Sequence, residues 1–116
     1  MLEKAIKEII KNELEKIAEK QETITYNEFL DIIDSDRKVL STNSKRSSLF
    51  WDLLGKISEE SYIENKILLS VIVISKKTNM PGNGFYNLVN EIDSKILSEN
   101  SINDLQEQVF KFYENN

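Results

Sequence analysis

Leu2, Ala5, Ile6, Ile9, Ile10, Leu14, Ile17 and Ala18 return at steps of three and four, with Lys and Glu between them. That spacing buries one stripe only as a helix, expected over about residues 2–20. Such a helix has one apolar side, so the rest of the chain must supply the surface that covers it. With 116 residues there is room for one domain, and a single domain over 1–116 is expected.

The remaining elements follow from local patterns. Thr25 with Glu28 is a capping box, and Ile24 with Phe29 occupy staple positions, so a second helix should run from near Tyr26 to near Asp34 after a short strand at 23–25. Residues 35–43 form a polar connection. Leu49, Phe50, Leu53, Leu54 and Ile57 make the stripe of a third helix beginning after Asn43 or Ser44. Trp51 and Gly55 fall off that stripe, and covering of Trp51 by another element such as the last helix is the plain expectation. Ile67–Ser75 is rich in β-branched residues and reads as a strand. Lys76–Gly84 is a turn. Phe85, Leu88, Val89, Ile92 and Ile96 suggest a fourth helix, and Ser101 with Asp104 caps a fifth, over about 102–114, built on Ile102, Leu105, Val109 and Phe112. The expected class is mainly α with a small β-hairpin or sheet and about five helices.

Chemistry is bounded by absence. The chain has no Cys and no His, which removes thiol and imidazole nucleophiles, bases and metal ligands. Asp31, Asp34 and Asp36 lack the glycine and closing glutamate of a calcium loop. Adjacent carboxylates such as Glu59 and Glu60 point different ways on a helix. No enzyme activity, metal or cofactor is expected. The longest apolar run, Ile67–Ile74, is far shorter than the roughly 20 residues of a membrane span, and Glu3, Lys4, Lys7 and Glu8 interrupt any signal-like start. A cytoplasmic protein without membrane contact is expected.

The turn N-M-P-G-N-G-F at 79–85 lacks the P-loop and dinucleotide glycine spacings, so a structural corner, with Pro81 presetting φ and glycine supplying positive φ, is the plainer reading. Net charge is −5, yet residues 37–58 carry +4 and 67–90 carry +2, while 23–36 and 91–116 carry −4 each. Arg37, Lys38, Lys45, Arg46 and Ser48 lie at or before the third helix, and Lys76 and Lys77 lie on the turn. A winged helix needs such residues on its recognition helix and wing, where they contact phosphates.

A resemblance appears at these residues. T-Y-x-E at Thr25–Glu28, a basic helix start at Arg46 leading to Leu53 and Leu54, and an apolar strand closing on Gly84 and Phe85 are similar to the winged-helix domain of methylguanine-DNA methyltransferases and alkyltransferase-like proteins. It covers residues 23–86, within an expected winged-helix-like core over about 23–97. That family reads T-Y-G-E, R-A-V-G-x-A-L, P-C-H-R-V-V and G-G-Y. Here Asn27 replaces the glycine, and Ser70–Ile72 stand near the place of the missing cysteine and histidine. The resemblance implies a DNA-contacting fold without alkyl transfer. The L-L-S-x-x-V-x-x-K-x-T-x-x-P-G-x-G-F pattern also looks like that of small uncharacterised bacterial proteins.

Two functions follow. The first is a non-enzymatic winged-helix-like module contacting DNA or RNA through Arg37, Lys38, Lys45, Arg46, Ser48, Lys76 and Lys77. The alternative is a small acidic interaction or inhibitor protein, of immunity or anti-defence type in a bacterium or phage, binding a basic partner such as a nuclease. It would use Asp31, Asp34, Asp36 and Trp51 together with the acidic segments 28–36 and 91–114. Tyr26, Trp51 or Tyr113, if exposed, could also mark a homodimer face.

Overall fold

The expected first helix forms as α1 (Leu2–Glu19), with Ile6, Ile10, Leu14 and Ala18 buried and Ala5 exposed. The computed structural model describes residues 2–37 and 43–114, with side chains at positions 4–33 and 50–114. After β1 (Ile24–Thr25) comes α2 (Tyr26–Arg37), which runs past the expected end near Asp34. The capping box at its start is present: Thr25 Oγ1 accepts from the Glu28 backbone N–H at 3.3 Å, and Glu28 Oε1 accepts from the Thr25 N–H at 3.4 Å. The third helix, α3 (Asn43–Asn65), buries Phe50, Leu53, Leu54 and Ile57 and stops where Lys66 turns left-handed at φ 60. Across α1 and α3, Lys7 donates to Glu60.

The segment expected as a strand over Ile67–Ser75 folds differently. Leu69–Ile72 is a 3-10 turn, and only β2 (Val73–Ile74) is strand. Two serines on α3 explain this. Ser61 Oγ donates to the Ile67 carbonyl at 2.7 Å and accepts from the Leu69 N–H at 3.2 Å; Ser58 Oγ accepts from the Ser70 N–H at 2.8 Å. On the other side the Gln106 side-chain amide donates to the Val71 carbonyl at 3.2 Å. These side chains take the backbone groups that a sheet ladder would use, and β1 offers only a two-residue partner. The β-branched composition reflects burial on all sides rather than pairing.

Removing one of these serines tests that explanation. Ser61→Ala strands the buried Leu69 N–H and is expected to destabilise the fold by about 1–3 kcal/mol in urea melts. A change within about 0.5 kcal/mol, the usual range for surface substitutions, would show that the hydroxyl is dispensable.

β1 and β2 pair in parallel, Ile24 with Val73 and Thr25 with Ile74. The small expected sheet is thus a parallel pair rather than a hairpin. From β2 the chain passes through a turn into α4 (Asn83–Ile92), without a returning strand among the described residues. The expected continuous helix through Ile96 is interrupted because Asp93 leaves helical geometry and its carboxylate accepts from the Lys95 N–H at 2.9 Å. A short α5 (Ile96–Glu99) follows, then α6 (Ile102–Phe112), opened by the expected capping box between Ser101 and Asp104. The protein is therefore mainly helical with a small sheet.

At the end of α6 the inward position falls to Tyr113, which is 8% exposed, and not to Phe112, which is 39% exposed. Tyr113 donates its hydroxyl proton to Glu15 at 2.9 Å and so is not a free dimer face. Burial, then the Glu15 hydrogen bond, pushes the Tyr113 hydroxyl well above the usual tyrosine range. A pKa raised in the folded state means that the unfolded chain releases protons first. Stability contributed by this group is present below pH about 10 and falls as pH rises beyond it. Urea melts at about pH 9 and about pH 11 should show this loss, with a smaller loss in Tyr113→Phe. Equal losses in both chains would exclude the tyrosine as the cause.

Candidate functional site

The parallel pairing sets the start of α2 beside the turn that leads into α4. There the Gly82 N–H donates to the Tyr26 hydroxyl at 2.9 Å, and the Tyr26 ring lies 4.2 Å, centroid to centroid, from Trp51 on α3. The Tyr26 hydroxyl is pushed up mainly by burial, partly offset by the Gly82 N–H that it accepts. Trp51 is 44% exposed, contrary to the expectation that the last helix covers it. The physical reason is placement: Trp51 sits off the buried α3 stripe, and α6 packs instead on the 3-10 turn.

This aromatic pair opens a groove of about 540 Å³ between α3 and α4. Its walls include Leu54, Phe85 and Leu88, and its charged lining is Asp52, Glu59 and Glu91 with one lysine, Lys56. A cleft of this size, apolar with a few polar groups, is the usual form of a recognition site. The carboxylates give it a negative cast in a chain already at −5. Among the described residues no three carboxylates are grouped to hold a metal ion, and no helix is long and apolar enough to cross a membrane.

The residues expected to bind are scattered. Lys76 and Lys77 are exposed on the turn after β2, and Asp31 is exposed on α2. Lys45, Arg46 and Ser48 fall in the first turns of α3, and Asp34, Asp36 and Arg37 in the last turn and a half of α2, but their side chains lie outside the described residues. Lys38 lies outside altogether. Among those whose side chains are described, Trp51 alone lines the groove.

The turn itself corrects another expectation. None of the glycines has positive φ; the left-handed residue is Asn79, at φ 58. Asparagine tolerates that conformation because its short side chain can bond locally. The turn closes on itself, with the Ser75 N–H donating to the Met80 carbonyl and the Asn79 N–H to the Ser75 carbonyl, each at 2.8 Å. Gly82 then starts α4 with extended backbone and no side-chain cap.

Sequence reasoning did not single out Asp52, Glu59, Glu91 or Leu88 as one site. Their spacing on two helices was readable, but nothing in a linear pattern says that those helix faces meet. No protein-family model, curated protein or solved structure matches this chain.

Proposed function

We propose that the protein is a non-enzymatic, cytoplasmic interaction module of the inhibitor or immunity type, whose α3–α4 groove receives a positively charged, apolar-anchored segment of a partner protein such as a nuclease. The observation that carries this reading is Trp51, half exposed and in tilted ring contact with Tyr26 at the mouth of a groove lined by Asp52, Glu59 and Glu91. Tryptophan is among the residue types enriched at interface hot spots, and carboxylates lining one groove steer a cationic partner into register. The chain has no Cys or His to form the common nucleophile–base pairs, and an apolar, carboxylate-lined cleft supports binding.

Contact with DNA or RNA is the second reading. It rests on Lys76 and Lys77, both exposed on the turn after β2, and on the basic start of α3. Amide chemical-shift mapping separates the two. A basic Leu/Lys amphipathic peptide should move resonances of Trp51, Gly55 and Leu88, whereas a DNA duplex acting through the second reading should move those of Lys76 and Lys77. If the peptide leaves the groove unmoved while DNA shifts the turn at low salt, the nucleic-acid reading replaces the first.

A further inference from the structure

The chain's three glycines, Gly55, Gly82 and Gly84, all line the α3–α4 groove. None has positive φ, so none is required by its backbone conformation. Packing does not require them either. A Cβ on Gly55 would meet Leu88 at 3.9 Å and one on Gly82 would meet the Tyr26 hydroxyl at 3.5 Å, both ordinary contacts, and one on Gly84 would meet nothing within 4 Å. Gly55 moreover lies in the interior of α3, where glycine is less favourable than alanine. What the three positions share is a place in the lining of one cleft without a side chain, Gly84 exposed and Gly55 and Gly82 half-buried, which is what close approach by another chain needs.

The groove also has a direction. Gly82, the N-cap of α4, touches Tyr26, whose ring meets Trp51 at a tilt; farther along, Gly55 faces Leu88; farther still, Glu59 and Glu91 both line the cleft. The contacts advance together along α3 and α4, so the two helices run parallel. Trp51 and Glu59 are about 12 Å apart along the α3 axis, about two helical turns. The cleft is therefore aromatic at the Trp51 end, where Asp52 also lines it, has no α3 side chain at Gly55 in its middle, and carries two carboxylates, Glu59 and Glu91, past Lys56 at the other end.

Resting on the interaction reading above, we infer that the occupant is an amphipathic helix of the partner, lying antiparallel to α3 and α4, with a Lys or Arg at position i between Glu59 and Glu91 and a large apolar residue at i+7 against Trp51. Charge complementarity places the basic residue where two carboxylates, Glu59 and Glu91, line the cleft rather than at the Trp51 end, which has one, Asp52. Helix electrostatics fixes the direction, because the positive N-terminus of the occupant then also lies by those carboxylates. The bare middle lets its axis come close to α3, as in other helix-in-groove complexes.

The test uses three synthetic helical peptides of identical composition: Lys at i with Leu at i+7, the same pair in reversed order, and the pair moved to opposite faces. Each is titrated into the intact protein and into Gly55→Ala by calorimetry, with melting temperatures measured alongside. The first peptide should bind the wild type at least tenfold tighter than the other two. Gly55→Ala should melt higher than the wild type yet bind that peptide at least tenfold more weakly. If the peptides bind and perturb Trp51 but order and spacing make no difference, or Gly55→Ala binds as well as the wild type, the helix register is wrong while the interaction reading stands. If none of them perturbs Trp51, both are wrong. Should Gly55→Ala melt lower, Gly84→Ala, whose added methyl meets nothing, carries the same binding comparison.

Discussion

Phe29→Ala should lower the stability of the protein by about 3–5 kcal/mol, the range for deleting a buried aromatic side chain. Phe29 is fully buried on α2 and meets Phe50 of α3 edge to face, with centroids 5.5 Å apart. Such a pair contributes about 0.5–1.5 kcal/mol beyond the area that it buries. Phe29 and Ile33 are the only fully inward side chains among the described positions of α2, with Tyr26 and Leu30 packed half-buried against the same core, so Phe29 is a main anchor of that helix. The consequence reaches the groove, because Tyr26 stands one turn before Phe29 and forms part of its wall. Urea denaturation measures the loss; a shift below about 1 kcal/mol would mean that α2 is anchored elsewhere. Phe29→Leu, which keeps most of the volume, should cost about half as much or less.

Trp51→Ala separates binding from folding. The side chain is 44% exposed, so most of its value should appear only when a partner covers it. Hot-spot truncations cost about 2–4 kcal/mol, which is about 30- to about 1,000-fold in Kd. The fold should lose about 1 kcal/mol, mainly the tilted ring contact with Tyr26. Trp51→Phe should fall between. Competition binding of a Leu/Lys amphipathic peptide, with melts of the same variants, checks both parts. Equal affinity for wild type and Trp51→Ala would remove Trp51 from the interface.

Much of the helical fold was legible because helices declare themselves locally. The α1 stripe, the Thr25–Glu28 box and the Ser101–Asp104 box each depend on residues within a few positions of one another. At Ile67–Ser75 composition suggests a strand because it reports burial, while the conformation is set by Ser58, Ser61 and Gln106, which lie outside the segment. The break after Ile92 turns on one Asp93 hydrogen bond that periodicity does not see. Glycine was expected to supply the left-handed turn residue, and Asn79 supplies it instead.

The site was less legible than the fold. Trp51 lies off its helical stripe, and that one local signal marks the residue that lines the groove half exposed. The carboxylates Asp52, Glu59 and Glu91 gain meaning only once the parallel β1–β2 pair brings α2 to the head of α4 and the two helix faces converge. Segment charge pointed elsewhere: residues 37–58 sum to +4, although Asp52 within that stretch lines an acidic groove.

Trp51 is the chain's only tryptophan, so its fluorescence reports on the groove without labelling. The most direct measurement is a titration of that signal with a basic Leu/Lys amphipathic peptide, in the wild type and in a variant carrying Asp52→Lys, Glu59→Lys and Glu91→Lys. A saturable change in the wild type, weakened by added salt and lost in the variant, is the predicted result. An unchanged Trp51 signal, or equal binding by the charge-reversed variant, would contradict a groove that receives a cationic partner.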